Sequence, residues 1–245
     1  MTAQPEPNSL SFPPIEDLQA YYAALPNEYG YASQCRMDVL GDVRGKRMLD
    51  VDCRRGNGVI KFSDWVGQRG FVLGVDPNPE FIDIALGFME NAWRRNGLVR
   101  NNMDYRVAYA ERLIDCGVPE GAFDVVFCNS SIALDYSPAL AFREMYRALR
   151  PGGMLVYDGA VAEDDRDAEV VAQARKIGNA VQSAFSRNDL AKFVTSVGFD
   201  LPEYHNISVV DADTGFNDRY TVPVVETDEW VTFLRTTALI YKPRV

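Results

Sequence analysis

A single histidine, His205, stands in the whole 245-residue chain, and the four cysteines, Cys35, Cys53, Cys116 and Cys128, show no CxxC spacing. One imidazole leaves no material for a Ser-His-Asp relay or a histidine-built zinc centre, so His205 reads as structural and no metal site is expected. Scattered cysteines of this kind read as reduced thiols rather than a disulfide frame, and the expected compartment is the cytoplasm. No apolar run reaches the roughly 18 residues that a membrane helix requires. The opening stretch Met1–Pro14 is polar and proline-rich rather than basic and then apolar, so neither a membrane span nor an export signal is expected. Cations are also scarce, with 25 Lys and Arg against 35 Asp and Glu and a net charge of −10. Phosphate-backbone binding depends on neutralisation by Lys and Arg, so this balance argues against a nucleic-acid substrate and for a small molecule. The local group Arg94, Arg95 and Arg100 reads as the basic complement of a helix C-terminus.

What the chain does have is a core-forming composition, 47% hydrophobic, enough to bury one α/β domain. Residues 46–245 read as that domain and residues 1–45 as an N-terminal helical lid segment. Leu18 to Leu25 reads as a short helix carrying Tyr21 and Tyr22, and Gly30 to Gly41 as a helical or irregular piece. Strands are expected at Lys46–Val51, Phe71–Asp76, about Asp104–Ala108, Phe123–Cys128 and Met154–Asp158, followed by β-rich segments at His205–Asp211 and Arg235–Tyr241. Between them, Asn78 before Pro79 marks a helix start, Gly97 its end, and Ser137 before Pro138 a second start. Ser186-x-x-Asp189 reads as a capping box, and the acidic run 163–167 as a loop or first helical turn. Alternating strands and helices predict right-handed crossovers and a doubly wound, Rossmann-like sheet. The last two strands lack a helix between them and predict an antiparallel edge.

The densest motif is Lys46 to Gly58, KRMLDVDCRRGNG, followed by the strand that closes on Gly74-Val75-Asp76-Pro77. A strand, a glycine-containing loop, a helix start and a second strand ending in an acid form a βαβ unit suited to a nucleotide cofactor. The helix N-terminus favours an anion and the second acid accepts ribose hydroxyls. This order resembles the class I S-adenosylmethionine-dependent methyltransferases, whose first motif usually reads acid-x-Gly-x-Gly-x-Gly. The resemblance implies seven strands, mostly parallel, with an antiparallel last strand. Here the three glycine positions hold Asp52, Arg54 and Gly56. Charged residues at two of them imply either a different loop path or side-chain contact with the cofactor. Arg54 or Arg55 has the chemistry to pair with the methionyl carboxylate, and Asp52 with the methionyl ammonium. A closed loop, with Asp52 paired to one of the arginines, is the competing reading.

The likeness narrows, over about Lys46 to Lys242, to the arsenite methyltransferase and ubiquinone/menaquinone C-methyltransferase group. It rests on FDVVFCNSSIAL, LRPGGMLVYDGAVAEDDR, the helix ending VGF, and TALIYK. Position by position it implies that Asp50 closes strand one beside the methionyl amine and that Asp76, with Pro77, takes the ribose. Tyr109, Ala110 and Glu111 then form the adenine-edge segment, and Asn129, Ser130 and Ser131 the meeting point of cofactor and substrate. The chain departs from the arsenite enzymes at 176–182 and 229–234, where no cysteine supplies the soft thiolate that As(III) requires.

The implied activity is methyl transfer from S-adenosylmethionine to a small-molecule acceptor by a monomer or homodimer. Such a displacement needs alignment first and a base only when the acceptor must lose a proton. Asp135 and Asp158, at strand C-termini, are candidate bases, with Asp158 preferred. Tyr21, Tyr22, Tyr29 and Tyr31 are candidate lid aromatics over a sulfonium, Tyr22 foremost. Gly215–Trp230, with Phe216, Tyr220 and Trp230, is a candidate pocket lining that opens on the turn Gly215-Phe216-Asn217-Asp218. Two further functions stay open. One is non-methylating use of the cofactor, by cyclisation or aminocarboxypropyl chemistry. The other is a non-catalytic descendant that only binds a ligand or partner.

Overall fold

The structure, a computed structural model, describes residues 11–26, 35–210, 224–225 and 231–244. Tyr29, Tyr31 and nearly all of Gly215–Trp230 lie outside the described residues.

Seven strands form one sheet. They are β1 (Arg47–Val51), β2 (Phe71–Asp76), β3 (Met103–Val107), β4 (Phe123–Asn129), β5 (Leu149–Ala162), β6 (Glu203–Val210) and β7 (Phe233–Tyr241), in the order β3-β2-β1-β4-β5-β7-β6. β1 pairs in parallel with β2 and β4, β2 with β3, and β4 with β5. β7 runs antiparallel to both β5 and β6. The last strand therefore slots between β5 and β6 and leaves β6 at the edge. The near-continuous apolar runs of β1, β2 and β4 match burial on both faces. Among the described residues six α-helices flank the sheet: α1 (Ile15–Ala24), α2 (Asn57–Val66), α3 (Pro79–Arg95), α4 (Pro138–Ala148), α5 (Ala168–Lys176) and α6 (Arg187–Ser196).

Local chemistry fixes several boundaries. The Asn78 side chain accepts the Glu80 N–H with Pro79 at the first position of α3, and Ser186 Oγ accepts the Asp189 N–H to start α6. Asp167 starts α5 by accepting the N–H groups of Glu169 and Val170. Ser137 departs from expectation, because its side chain makes no cap bond. Its backbone N–H instead donates to Glu111 Oε1 at 3.0 Å, so a carboxylate from another element sits at the positive end of α4. β5 also begins five residues before the expected Met154, because Arg150-Pro151-Gly152-Gly153 stays in the strand rather than leaving it.

The core divides across the sheet. One apolar cluster gathers Leu49, Leu73, Val126, Phe142, Met145, Tyr157 and Leu190, and another Met48, Phe62, Val72, Ile82, Tyr105 and Phe127. These two faces hold β1, β2 and β4 level, so that Val51, Asp76 and Asn129 end together at one mouth.

Candidate functional site

At that mouth the loop after β1 carries φ of +56° at Asp52, +49° at Arg54 and +79° at Gly56. These are the three positions at which the resemblance expects glycine. A left-handed conformation costs a residue with a Cβ about 1–2 kcal/mol, with Asp better tolerated than Arg. The loop nevertheless keeps the glycine path. Part of the offset comes from Asp76, whose Oδ2 accepts the Arg54 N–H at 2.8 Å while its Oδ1 accepts the Asn78 N–H at 2.9 Å. Gly56 remains because a Cβ there would lie 2.6 Å from the Tyr105 ring. Gly58 lets α2 descend onto β1, since its Cβ would lie 2.5 Å from Asp50 Oδ2. No side chain caps the start of α2.

The arginines do not close this loop onto Asp52. Both guanidinium groups stack on Phe81 in the first turn of α3, at 4.8 Å for Arg54 and 4.4 Å for Arg55. They thus stand on the side of Asp76, away from Asp52. Asp52 turns the other way, where it accepts a 3.3 Å bond from Ser131 Oγ. Ser131 is held by Asn129, whose Oδ1 accepts its N–H at 2.8 Å and starts the 3₁₀ helix Ser130–Leu134.

Acid concentration sets the electrostatics of the mouth. Asp50, Asp52, Asp76, Glu111, Asp135 and Asp158 are all buried there. Burial pushes the Asp50 carboxyl well above the usual range, and the charges of Asp52 and Asp76 add to the effect. Burial likewise raises Asp52 to about 8, with Asp76 and Glu111 as further causes. Burial also raises Asp76, against the backbone donors and the two arginines that pull it down. A carboxyl so raised is a poor anion alone and a good partner for a cationic or hydroxyl-bearing ligand.

The segment Tyr109-Ala110-Glu111 follows β3 and is tied to β2 by the Ala108 N–H donating to Asp76 O at 3.0 Å. Tyr109 stays half-buried at the surface of this segment. Glu111 turns inward and away from it. Its carboxylate receives Tyr22 OH at 3.0 Å and Ser137 N–H at 3.0 Å. Tyr22 is thereby brought to the mouth from α1, and its ring lies 5.4 Å from that of Tyr109.

Asp158 ends a different set of contacts. Its Oδ2 accepts the N–H groups of Arg36 at 2.7 Å and Asp38 at 3.3 Å and the Cys35 thiol at 3.4 Å, while Oδ1 accepts Thr237 Oγ1 at 3.0 Å. Lys61 Nζ on α2 holds the carbonyls of Arg36 and Met37. Residues 35–38 therefore cross from α2 to β5 as a strap, and Asp158 is its anchor. A carboxylate so occupied is poorly placed to take a proton from an acceptor, in contrast to its rank as preferred base. His205 lies exposed on the edge strand β6, away from the mouth. Among the described residues no group of three or more His, Cys, Asp and Glu is arranged to hold a metal ion, and no helix is long and apolar enough to cross a membrane.

Sequence reasoning missed Arg175, which reaches from α5 to the backbone carbonyl of Asp135 and to Tyr21 OH. Nothing in AQARK distinguishes it from a solvated helix end. A cleft of about 710 Å³ opens at the opposite end of the sheet, lined by Lys46, Asp124, Arg150 and Arg244, and its lining includes none of the mouth carboxylates.

The methyltransferase domain family profile matches residues 42–203, two-thirds of the chain. An arsenite methyltransferase of Aquipseudomonas alcaligenes is 31% identical over 172 residues, covering 69% of this chain and 49% of the relative. A ubiquinone/menaquinone biosynthesis C-methyltransferase of Vibrio campbellii is 35% identical over 123 residues, 49% of this chain and 43% of the relative. The chain spans about half the length of these curated relatives. Among solved structures, an arsenic(III) S-adenosylmethionine methyltransferase from Chlamydomonas reinhardtii superposes with a TM-score of 0.74 at 24% identity, covering 95% of this chain and 75% of that one. With its strand order, its reversed last strand and the retained path of the loop after β1, the chain belongs to the methyltransferase domain family and has the class I, Rossmann-like fold.

Proposed function

We propose that this protein binds S-adenosylmethionine at the mouth formed by β1, β2 and β4 and catalyses methyl transfer to a small-molecule acceptor. The observation that carries the reading is the loop after β1, which keeps left-handed backbone at Asp52, Arg54 and Gly56 although two glycines are gone. A chain with no use for the cradle has no reason to retain that strained path.

The residues present fit the cofactor. Asp76, beside Pro77, retains a second lone pair on each oxygen for the ribose hydroxyls, and Tyr109 and Ala110 flank the adenine, with Glu111 closing that segment. Asp50, Asp52, Gly56, Asn129 and Ser130 line the methionyl end, where the uncapped start of α2 favours a carboxylate and Asp52 an ammonium. Arg54 shields the ribose side from Phe81. When bound, the cofactor supplies an electrophilic methyl group on a sulfonium. The chain supplies alignment and exclusion of water, with residues 1–45 as the lid segment: Tyr22 covers the mouth and Asp158 anchors the strap.

The missing cysteines at 176–182 and 229–234 favour an acceptor other than a metalloid. No nucleic-acid partner, a cytoplasmic location and a monomer or homodimer complete the proposal. The test is product analysis with S-adenosylmethionine and candidate acceptors. Methylated product with S-adenosylhomocysteine supports methyl transfer, whereas methylthioadenosine points to cyclisation or aminocarboxypropyl chemistry. Absence of any cofactor binding leaves a ligand-binding, non-catalytic protein, a reading motivated by the two lost glycines of the loop after β1.

A further inference from the structure

Asp135 closes the 3₁₀ helix Ser130–Leu134, and its carboxylate is 1% exposed. Neither of its oxygens meets a donor in full hydrogen-bond geometry, the Tyr22 hydroxyl and the Asp52 carboxyl being its polar neighbours. A buried carboxylate without donors is costly, about 1–3 kcal/mol or more for an unsatisfied polar group. Its surroundings increase the cost. Asp52 and Glu111 face it, while Arg175 is the cation nearest at hand, and burial with those two acids holds the Asp135 carboxyl well above its usual range. Arg175 directs Nη2 to the backbone carbonyl of Asp135 and to Tyr21 OH rather than to the carboxylate.

Around this carboxylate stands a set of tyrosines. Tyr21 packs edge-on against Tyr22 at 5.3 Å and against Tyr136 at 5.4 Å, and Tyr22 lies 5.4 Å from Tyr109. Tyr21 OH donates to Leu134 O at 2.5 Å, which fixes α1 over the end of the 3₁₀ helix. Carboxylates lacking donors beside electron-rich ring faces make a site for an organic cation. The two empty oxygens ask in addition for N–H donors, which a protonated amine has and a quaternary ammonium does not. This site adjoins the methionyl end of the cofactor, with Asp52 on the wall between them. The loop after β1 runs from Asp52 beside Ser131 to Arg54 beside Asp76, and Asp135 lies on the Asp52 side, under residues contributed by α1.

We propose that Asp135, flanked by Asp52 and Glu111 and covered by Tyr21 and Tyr22, binds the protonated amine of the acceptor and takes its proton. As the cation enters, the proton held by the buried carboxyl leaves to solvent; the N–H bond then breaks, its electron pair stays on nitrogen, and the ammonium proton passes to the ionised Asp135, so that one proton is released overall. The freed amine then carries the lone pair that a methyl acceptor needs. This assignment rests on the methyltransferase reading and names the acceptor class as a small amine.

The test is calorimetric titration of the full chain, saturated with S-adenosylhomocysteine, with protonated N,N-dimethylethanolamine and with 3-methylbutan-1-ol, which has the same skeleton with C–H in place of N–H⁺. The amine is expected to bind at least tenfold tighter than the alcohol, with heats in two buffers showing proton release. Asp135→Asn is expected to abolish that preference while leaving S-adenosylhomocysteine affinity within threefold and the melting temperature no lower. Equal binding of amine and alcohol overturns the proposal. So does an Asp135→Asn variant that weakens S-adenosylhomocysteine while the amine never binds, because the carboxylate then serves the cofactor. If S-adenosylhomocysteine itself fails to bind, the cofactor reading falls separately, and the amine titration of the unliganded chain still decides the role of Asp135.

Discussion

Asp76 is the residue on which the cofactor site turns. Its two oxygens tie the loop after β1 and the start of α3 into one unit through Arg54 N–H and Asn78 N–H. Asp76→Ala removes both ties and the proposed ribose partner together. The expected result is cofactor binding weakened about tenfold or more, equivalent to about 1.4 kcal/mol or more. Asp76→Asn separates the two losses, because an amide oxygen still accepts one backbone N–H. A titration of both variants with S-adenosylhomocysteine checks this, and unchanged affinity in both would remove Asp76 from the site. At this scale the sequence was informative where a residue's neighbours are close in the chain. Asn78 and Ser186 cap the helices they precede, Asp76 ends its strand, and Asp50 stands one residue before the end of its own. It was silent where partners come from far away. Glu111 reaches Tyr22 and Ser137, and Asp158 reaches Arg36 and Thr237, across separations that no spacing rule encodes.

The strap 35–38 shows how elements depend on one carboxylate. Asp158 lies inside the buried run of β5, which continues to Ala162 rather than closing at Asp158 as expected; it receives two backbone N–H groups of the strap, and Lys61 fixes two of the strap's carbonyls. Met37 holds φ at +56° between them, a strain the anchors must offset. Asp158→Ala is expected to leave the Arg36 and Asp38 N–H groups without acceptors and to cost about 1–3 kcal/mol. Hydrogen exchange is the direct check: protection at Arg36 and Asp38 should fall by at least tenfold while β1 and β4 amides stay protected. Equal protection in variant and wild type would remove the anchor role. Strand and helix positions were legible because apolar runs and cap residues are local signals. The antiparallel sense of the last strands was legible from the missing helix between them and from the resemblance, whereas the insertion of β7 between β5 and β6 was not read, because strand order depends on contacts distant in the chain. The early start of β5 was missed because Pro151-Gly152-Gly153 has the composition of a turn; Gly152 does take φ of +72°, and the segment stays in the strand as an irregularity that shifts the pairing with β4.

Across the whole molecule, six buried acids gather at one end of a sheet in a chain that already carries a net charge of −10. Those whose carboxyls are raised by burial hold protons in the folded state that the unfolded chain has released. Between the ordinary carboxyl range and about 8, the value reached by Asp52, the native state therefore binds more protons than the unfolded one. Stability then falls as pH rises through that window. The unliganded protein is expected to melt several degrees lower at pH 8.5 than at pH 5.5, at about 2–4 °C per kcal/mol for a chain of this size. Asp52→Asn should flatten the slope, and a melting temperature that rises over the same interval would contradict the acid-mouth account. The measurement that bears most directly on the central claim is isothermal titration of the wild-type chain with S-adenosylhomocysteine. A loop that keeps its glycine path should give one-to-one binding with an affinity on the order of micromolar, about −8 kcal/mol. No heat and no protection at millimolar ligand would mean that the charged residues of the loop have closed the cradle.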